Sequence, residues 1–534
     1  MDGRAGHAVL RATFTRRPGG EPMISFSAVA GSALQARAEM LVLPSFAGPK
    51  PAQPDPGKDA ADAGRALGID LSAALRAHGF RGEVGDTFAT LSLGRLPAES
   101  VMFLGLGTRE VADDGALRQA LMLAAPEITR VAHAAVALPE TVMLGDTALT
   151  AAALAEGLLL GSYRCDRYRR EPVAPNWRPA MLERVEVLAS AGAQAPAAAG
   201  LRRGQLIASL TNWVRDLVNG SPSEVTPEYM AEQARQLARA QSLTCSVLGL
   251  AELEDGGFGG VVGVGQGSVN EPRLVELAYS GGGGAPVIGM TGKGITFDSG
   301  GLTLKRTSEI EWMKSDMAGA ATIMALLRGA AELGLAVNID AALPFAENMP
   351  GGSAQRPGDV LTHRGGKTCE VRDTDSEGRL IVADALAYLA ERNPAVLVDV
   401  ATLTDAAGLG ESLWAVLGTD EGMIGELLAA GRQAGDPGWQ LPLPPSYRRH
   451  LASEVADIRN SPAGGVPDTT VLAATYLREF TAGLRWMHID NGSTAYLERP
   501  GEGWPEGATG SPVRALLRWV ENCANSMKTE PDQR

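Results

Sequence analysis

Cysteine is scarce: Cys165, Cys245, Cys369 and Cys523 are the only four in 534 residues, far apart and in no C-x-x-C pair. That spacing supports neither a disulfide framework nor a thiolate metal site. Aromatic residues make up only 5%. Basic residues are outnumbered, 48 Lys and Arg against 62 Asp and Glu, for a formal net charge of -14. The chain therefore has no overall attraction for nucleic-acid phosphates or an anionic membrane surface. No run of about eighteen uncharged apolar residues occurs, so no membrane-spanning helix is expected. The nearest approach, Leu149 to Leu160, is interrupted by Glu156. The first 22 residues hold Arg4, Arg11, Arg16 and Arg17 without an apolar run of signal-peptide type. They have no Ser and contain Asp2 and Glu21, which argues against a transit peptide. They read as a flexible extension with Met23 as an alternative start, and the protein as cytoplasmic.

What is present is globular. The hydrophobic fraction is 45% and the charged fraction 21%, near ordinary averages, with 65 glycines. The length exceeds what one core usually supports, so two domains are expected. Residues 23–188 mix short β-like runs, such as Glu39 to Leu43 and Ser100 to Leu104, with Ala/Leu-rich helical segments and form the smaller N-terminal α/β domain. Residues 189–200, ASAGAQAPAAAG, have the composition of a linker. Residues 201–525 repeat the order strand, loop, helix and form a larger α/β domain with a mixed, largely parallel central sheet. Residues 526–534 read as a tail.

Three places in the larger domain draw attention. Val287 to Met290 reads as a strand ending at Gly292-Lys293-Gly294, and Ala395 to Val400 as another ending at Thr402-Leu403-Thr404. Ligands of open α/β sheets bind beyond the carboxyl ends of strands. Asp316 stands at the start of a predicted helix over Met317 to Leu333. Asp373, Asp375 and Glu377 alternate, so in extended backbone their carboxylates share one side, as a hard-cation site requires. Thr374 and Glu377 equally fit a capping box for a helix over Arg379 to Glu391. An EF-hand loop is excluded because its twelfth position is Asp384 and no entering helix precedes it. Lys293 is not in a phosphate loop, since Val287 and Gly294 stand where that pattern needs Gly and Ser or Thr.

The string from Gly292 to Asp316, with steps of five, seven and eleven between Lys293, Asp298, Lys305 and Asp316, resembles the metal and catalytic segment of leucyl aminopeptidases. Asp373 to Leu380, DTDSEGRL, resembles that family's NTDAEGRL signature. Arg215 to Asn219, Val264 to Ser268, Glu347 to Pro350, Arg356 to Asp359, Asp399 to Thr404 and His488 to Asp490 look like further family segments in the family's order. In the N-terminal domain the likeness is confined mainly to Glu156 to Tyr168.

The resemblance implies a metal-dependent aminopeptidase that releases N-terminal residues, apolar ones such as leucine, from short peptides. It makes Asp298 and Glu377 carboxylates shared by two divalent ions, with Asp375 on one ion and Lys293 and Asp316 on the other. Mn or Zn fits such ligands, and Mg is compatible. Lysine ligates only as the neutral amine, so the ions must hold Lys293 deprotonated. A bridging hydroxide would attack the first peptide carbonyl. Lys305 would stabilise the oxyanion, and Arg379 would seat a bicarbonate. Met313, Thr402 and Leu403 resemble residues lining the side-chain pocket. A homohexamer is implied.

Three departures from the family pattern bear on substrate choice: Asp373 for Asn, Asp405 for Gly, and Gly465 to Thr470 for a Gly/Ala-rich helix opening. The rival readings are an idle or DNA-binding regulatory member of the family, opposed by the intact residue set and the acidic balance, and a two-metal phosphoesterase, opposed by the lysine ligand.

Overall fold

The computed structural model describes residues 24–49, 54–139, 145–170, 181–462, 464–466, 468–501 and 503–529. The expected extension over 1–22 lies outside them. Two compact units divide the chain at Gln205 and Leu206.

The first unit is built on a seven-stranded sheet. Its order runs Ser25–Ala30, Arg184–Ala189, His133–Ala137, Met40–Ala47, Ser100–Thr108, Thr87–Leu91, with the short seventh strand Pro54–Asp55 pairing off this path with Met40–Ala47. All neighbours along it are parallel except the last pair. Because strand side chains alternate, Leu41 and Leu43 join Leu75 and Phe103 in the core on one face, and Val42 joins Leu121 and Leu154 on the other. Both faces are covered, as a parallel sheet requires.

The second unit holds a nine-stranded mixed sheet. Its parallel centre is Trp486–Asp490, Val396–Ala401, Val287–Gly292 and Asn338–Asn348. Gly294–Asp298 continues alongside the second half of Asn338–Asn348. Antiparallel strands close the flanks, Trp414–Gly418 on one side and Arg273–Ser280 and Thr244–Leu248 on the other. Helices cover both faces. Val396, Val398 and Val400 share a core with Ile323, Leu326 and Leu327 of the helix Ala318–Glu332. Leu397, pointing the other way, shares one with Leu380, Ile381 and Leu386 of the helix Gly378–Ala390. The two helices thus flank the sheet from opposite faces.

The stretch expected as a linker is not one. Residues 194–200 open the helix Gln194–Val218. Alanine favours helix, and Pro196 stands in the first turn, where a backbone N–H has no intrahelical acceptor to lose. The expected tail from residue 526 is likewise shortened, since the amphipathic helix Val513–Thr529 runs past it. Glu377 is the N-cap of Gly378–Ala390 but makes no capping bond, so the capping box is absent. The Thr374 hydroxyl instead donates to the Gly300 carbonyl at 2.7 Å and accepts from the Thr303 N–H at 2.8 Å. Among the described residues no helix is long and apolar enough to cross a membrane.

Candidate metal centre

The centre forms where the parallel strands end. Lys293 separates Val287–Gly292 from Gly294–Asp298, its N–H donating to the Val400 carbonyl at 2.9 Å. Its carbonyl accepts from the Ala320 N–H, which ties the strand end to the first turn of Ala318–Glu332. Gly292 and Gly319 allow this approach: a Cβ on Gly319 would lie 2.0 Å from the Val400 carbonyl oxygen. Asp316 precedes that helix on one face, and Asp375 and Glu377 precede Gly378–Ala390 on the other. With Asp298 at the end of Gly294–Asp298 and Lys305 in the loop after it, six side chains converge without a histidine.

Lys293 Nζ stands 2.7 Å from Asp316 Oδ2, 2.8 Å from Glu377 Oε1 and donates to the Thr402 carbonyl at 2.9 Å. Lys305 Nζ stands 2.9 Å from Asp298 Oδ2 and 2.6 Å from Asp375 Oδ1. Burial disfavours both ammonium groups, but the surrounding carboxylates, Asp316 foremost for Lys293 and Asp298 for Lys305, outweigh it and hold both above the usual lysine range. Burial, with the charge of Asp298 and Glu377, pushes the Asp375 carboxyl up to about 7. Burial raises Asp316 and Glu377 as well.

The donor set fits divalent cations. Oxygens of Asp298, Asp375 and Glu377 lie within 4.8 Å of one another. Four carboxyl groups face two lysines, so oxygen ligands predominate in the set. Asp316 Oδ2 and Glu377 Oε1 are buried against Lys293 Nζ, and Asp375 Oδ1 against Lys305 Nζ. Buried carboxylate oxygens ordinarily have partners, and here the lysine ammonium groups fill that role.

The other expected residues are placed nearby. The Thr402 hydroxyl donates to Asp316 Oδ1 at 2.7 Å, and the Leu403 N–H donates to Asp490 Oδ1 at 3.3 Å. Met313 is half-buried and opens the short 3-10 turn that ends at Asp316. Arg379 is buried, and burial holds its guanidinium below the usual range. Its Nη1 donates to the Asn460 carbonyl at 2.7 Å, while its Nε–H has no acceptor among the described residues. It forms no ion pair with Glu377 or Asp375.

Of the three departures, Asp373 accepts the Asp375 N–H at 3.0 Å through Oδ1, an acceptor that Asn also possesses. Asp405 is exposed at the head of the short turn Ala406–Gly408. Asp468 caps the helix Thr469–Arg478 by accepting the Val471 N–H at 2.9 Å. Pro467 lies outside the described residues.

Sequence reasoning missed two asparagines. Asn348 donates to Asp298 Oδ1 at 2.7 Å and to the Thr374 carbonyl at 2.9 Å, joining the strand that carries one carboxylate to the loop that carries two others. It falls within a noted segment, Glu347 to Pro350, and its place at a strand end was the available signal. Asn460 is separated from Ser376 by 84 residues and gave no signal at all.

Comparison with known proteins agrees along most of the chain. Residues 212–517 match the catalytic domain of the cytosol aminopeptidase family, and residues 42–172 match that family's N-terminal domain. A probable cytosol aminopeptidase of Roseiflexus castenholzii is 40% identical over 442 residues, 82% of this chain and 90% of that one. One from Streptomyces griseus is 38% identical over 505 residues, 91% of this chain and 96% of that one. Among solved structures, the bottromycin maturation enzyme BotP in complex with Mn superposes with a TM-score of 0.79 at 34% identity, covering 91% of this chain and 100% of that one. With its α/β fold and carboxylate cluster, the chain belongs to the cytosol aminopeptidase family and is a metal-dependent aminopeptidase.

Proposed function

We propose that the enzyme releases N-terminal residues, apolar ones such as leucine, from short peptides, using two divalent ions held by Lys293, Asp298, Asp316, Asp375 and Glu377. The observation that carries this reading is the cluster of Asp298, Asp375 and Glu377, whose carboxylate oxygens lie within 4.8 Å of one another. Mn or Zn, with Mg compatible, suits a set of oxygens and one amine. When bound, two such ions supply Lewis acidity and an acidified water, and a bicarbonate supplies a proton acceptor.

The chain's own groups then have separate tasks. Asp298 and Glu377 are the carboxylates shared between ions, Asp375 serves one, and Asp316 with Lys293 serves the other. For that, Lys293 gives up its proton, because only the neutral amine has a lone pair to offer. Asn348 and Thr402 orient Asp298 and Asp316 through the hydrogen bonds already described. Lys305 keeps its charge and faces the oxygen on which negative charge develops. Arg379, always protonated, offers its free Nε–H to an anion such as bicarbonate. Met313, Thr402 and Leu403 line the pocket for the first side chain. Family membership is also the ground for reading the assembly as a homohexamer and the compartment as the cytoplasm.

A panel of aminoacyl p-nitroanilides, offered to metal-stripped protein refilled with Mn, Zn or Mg, tests the reading. Metal-dependent release, fastest from leucine and similar residues, is expected. Absence of release from every member with every metal would overturn it.

A further inference from the structure

We infer that Asn460 is a positioning residue for the metal centre, which holds the Asp375 and Glu377 loop in ligating geometry from a distant part of the chain. The inference rests on the ligand assignment proposed above.

Asn460 is fully buried and directly follows the short strand Ile458–Arg459. That strand runs parallel to Thr368–Glu370, and the Asn460 N–H donates to the Glu370 carbonyl at 3.1 Å. The backbone of Asn460 is thus registered against the strand from which the carboxylate loop departs. A primary amide has two N–H donors and one oxygen able to accept twice. Here Oδ1 accepts from the Arg372 N–H at 2.8 Å and the Asp373 N–H at 3.3 Å. Nδ2 donates to the Asp373 carbonyl at 2.6 Å and the Ser376 carbonyl at 3.2 Å. Every hydrogen-bonding valence of the side chain is spent on main chain between Arg372 and Ser376, and none on a side chain. The Asn460 carbonyl meanwhile receives Arg379 Nη1 at 2.7 Å.

This pattern does more than fill a buried site. The loop has no ladder of its own between Glu370 and Gly378. Asp375 and Glu377 must nonetheless present oxygens within 4.8 Å of an Asp298 oxygen that sits on a different strand. Asn348 fixes one end of that geometry by bridging Asp298 and the Thr374 carbonyl. Asn460 fixes the other by gripping the carbonyls on both sides of Asp375. Groups that orient ligands in this way commonly govern metal affinity by about 10- to 100-fold.

The test uses the full-length protein and Mn2+ alone as probe. Asn460→Asp keeps size and the Oδ1 acceptor but sets an oxygen against the Asp373 and Ser376 carbonyls; Asn460→Ala removes all four bonds. Calorimetric titration of each metal-free variant should show Mn2+ bound about 10- to 100-fold more weakly than by the parent. Melting of the metal-free forms and circular dichroism report folding separately, and Asn460→Asp carries the test if Asn460→Ala does not fold. Mn2+ affinity within about twofold of the parent in a folded variant, or no Mn2+ binding by the parent, overturns the inference. If the parent binds Mn2+ but hydrolyses no aminoacyl p-nitroanilide, the peptidase reading fails while weakened binding in the variants still upholds the role of Asn460.

Discussion

Gly378 lies so close to Lys293 that a Cβ on the glycine would meet Lys293 Cε at 2.4 Å. The lysine stem is the flexible partner and would have to move, taking Nζ away from Asp316 and Glu377. Gly378 opens a helix, where alanine is intrinsically the better residue, so a loss on substitution cannot be charged to helix propensity. Gly378→Ala is expected to keep its circular dichroism and to bind Mn2+ at least about tenfold more weakly. Unchanged affinity by calorimetry would show that Lys293 does not take part in holding the ions.

Lys305 and Asp298 touch at 2.9 Å but have different assignments, and substitution separates them. Lys305→Ala is expected to retain both ions, measured by elemental analysis after dialysis, while kcat falls about 100- to 1000-fold. Asp298→Ala should lose metal. Normal turnover in Lys305→Ala would remove its electrostatic role.

A second buried ion pair sets a pH limit on stability. His363 is fully buried between Asp384 Oδ1 at 2.6 Å and the Tyr476 hydroxyl at 2.7 Å. Burial alone would depress its pKa, but Asp384 outweighs that and pushes it up to about 9. A histidine raised in the folded state stabilises fully below its unfolded value near 6.5, and that contribution is lost as pH rises through about 9. The separation corresponds to about 3 kcal/mol. The gap in Tm between the parent and His363→Gln should therefore be widest near pH 6 and shrink by pH 9.5. A gap that stays constant across that range would mean that folding does not raise the pKa of His363.

Asp405 stands exposed, two residues beyond Leu403 of the proposed pocket. A carboxylate there attracts a basic first residue, though solvent limits such a pair to about 0.2–1 kcal/mol. Asp405→Asn should lower the ratio of kcat/KM for lysyl over leucyl p-nitroanilide by up to about fivefold, more at low salt than at high. An unaltered ratio at low salt would place Asp405 away from the substrate.

Much of this could be read before the fold was known. The strand Val287–Gly292 and the strand Val396–Ala401 differ by a residue or two from their apolar runs, because β-branched and aliphatic residues buried on both faces leave an unbroken signal. The helix Ala318–Glu332 matches its expected span within a residue at each end. Local cues misled where composition was ambiguous. Small residues at 194–200 suit a helix as well as a linker, and Thr374 with Glu377 has capping-box spacing although Thr374 is bound to Gly300 and Thr303 instead.

The sequence by itself determined the α/β class, the chemical types at Lys293, Asp298, Lys305, Asp316, Asp375 and Glu377, and the family likeness, because these reside in local pattern and fixed spacing. Only the tertiary structure decided that Asp316 reaches Lys293 from one face of the sheet and Glu377 from the other, with Asn348 and Asn460 fastening the loop between. The physical reason is that a hydrogen bond across 84 residues leaves no periodicity in the chain; it exists only once a parallel sheet brings its strand ends to a common edge.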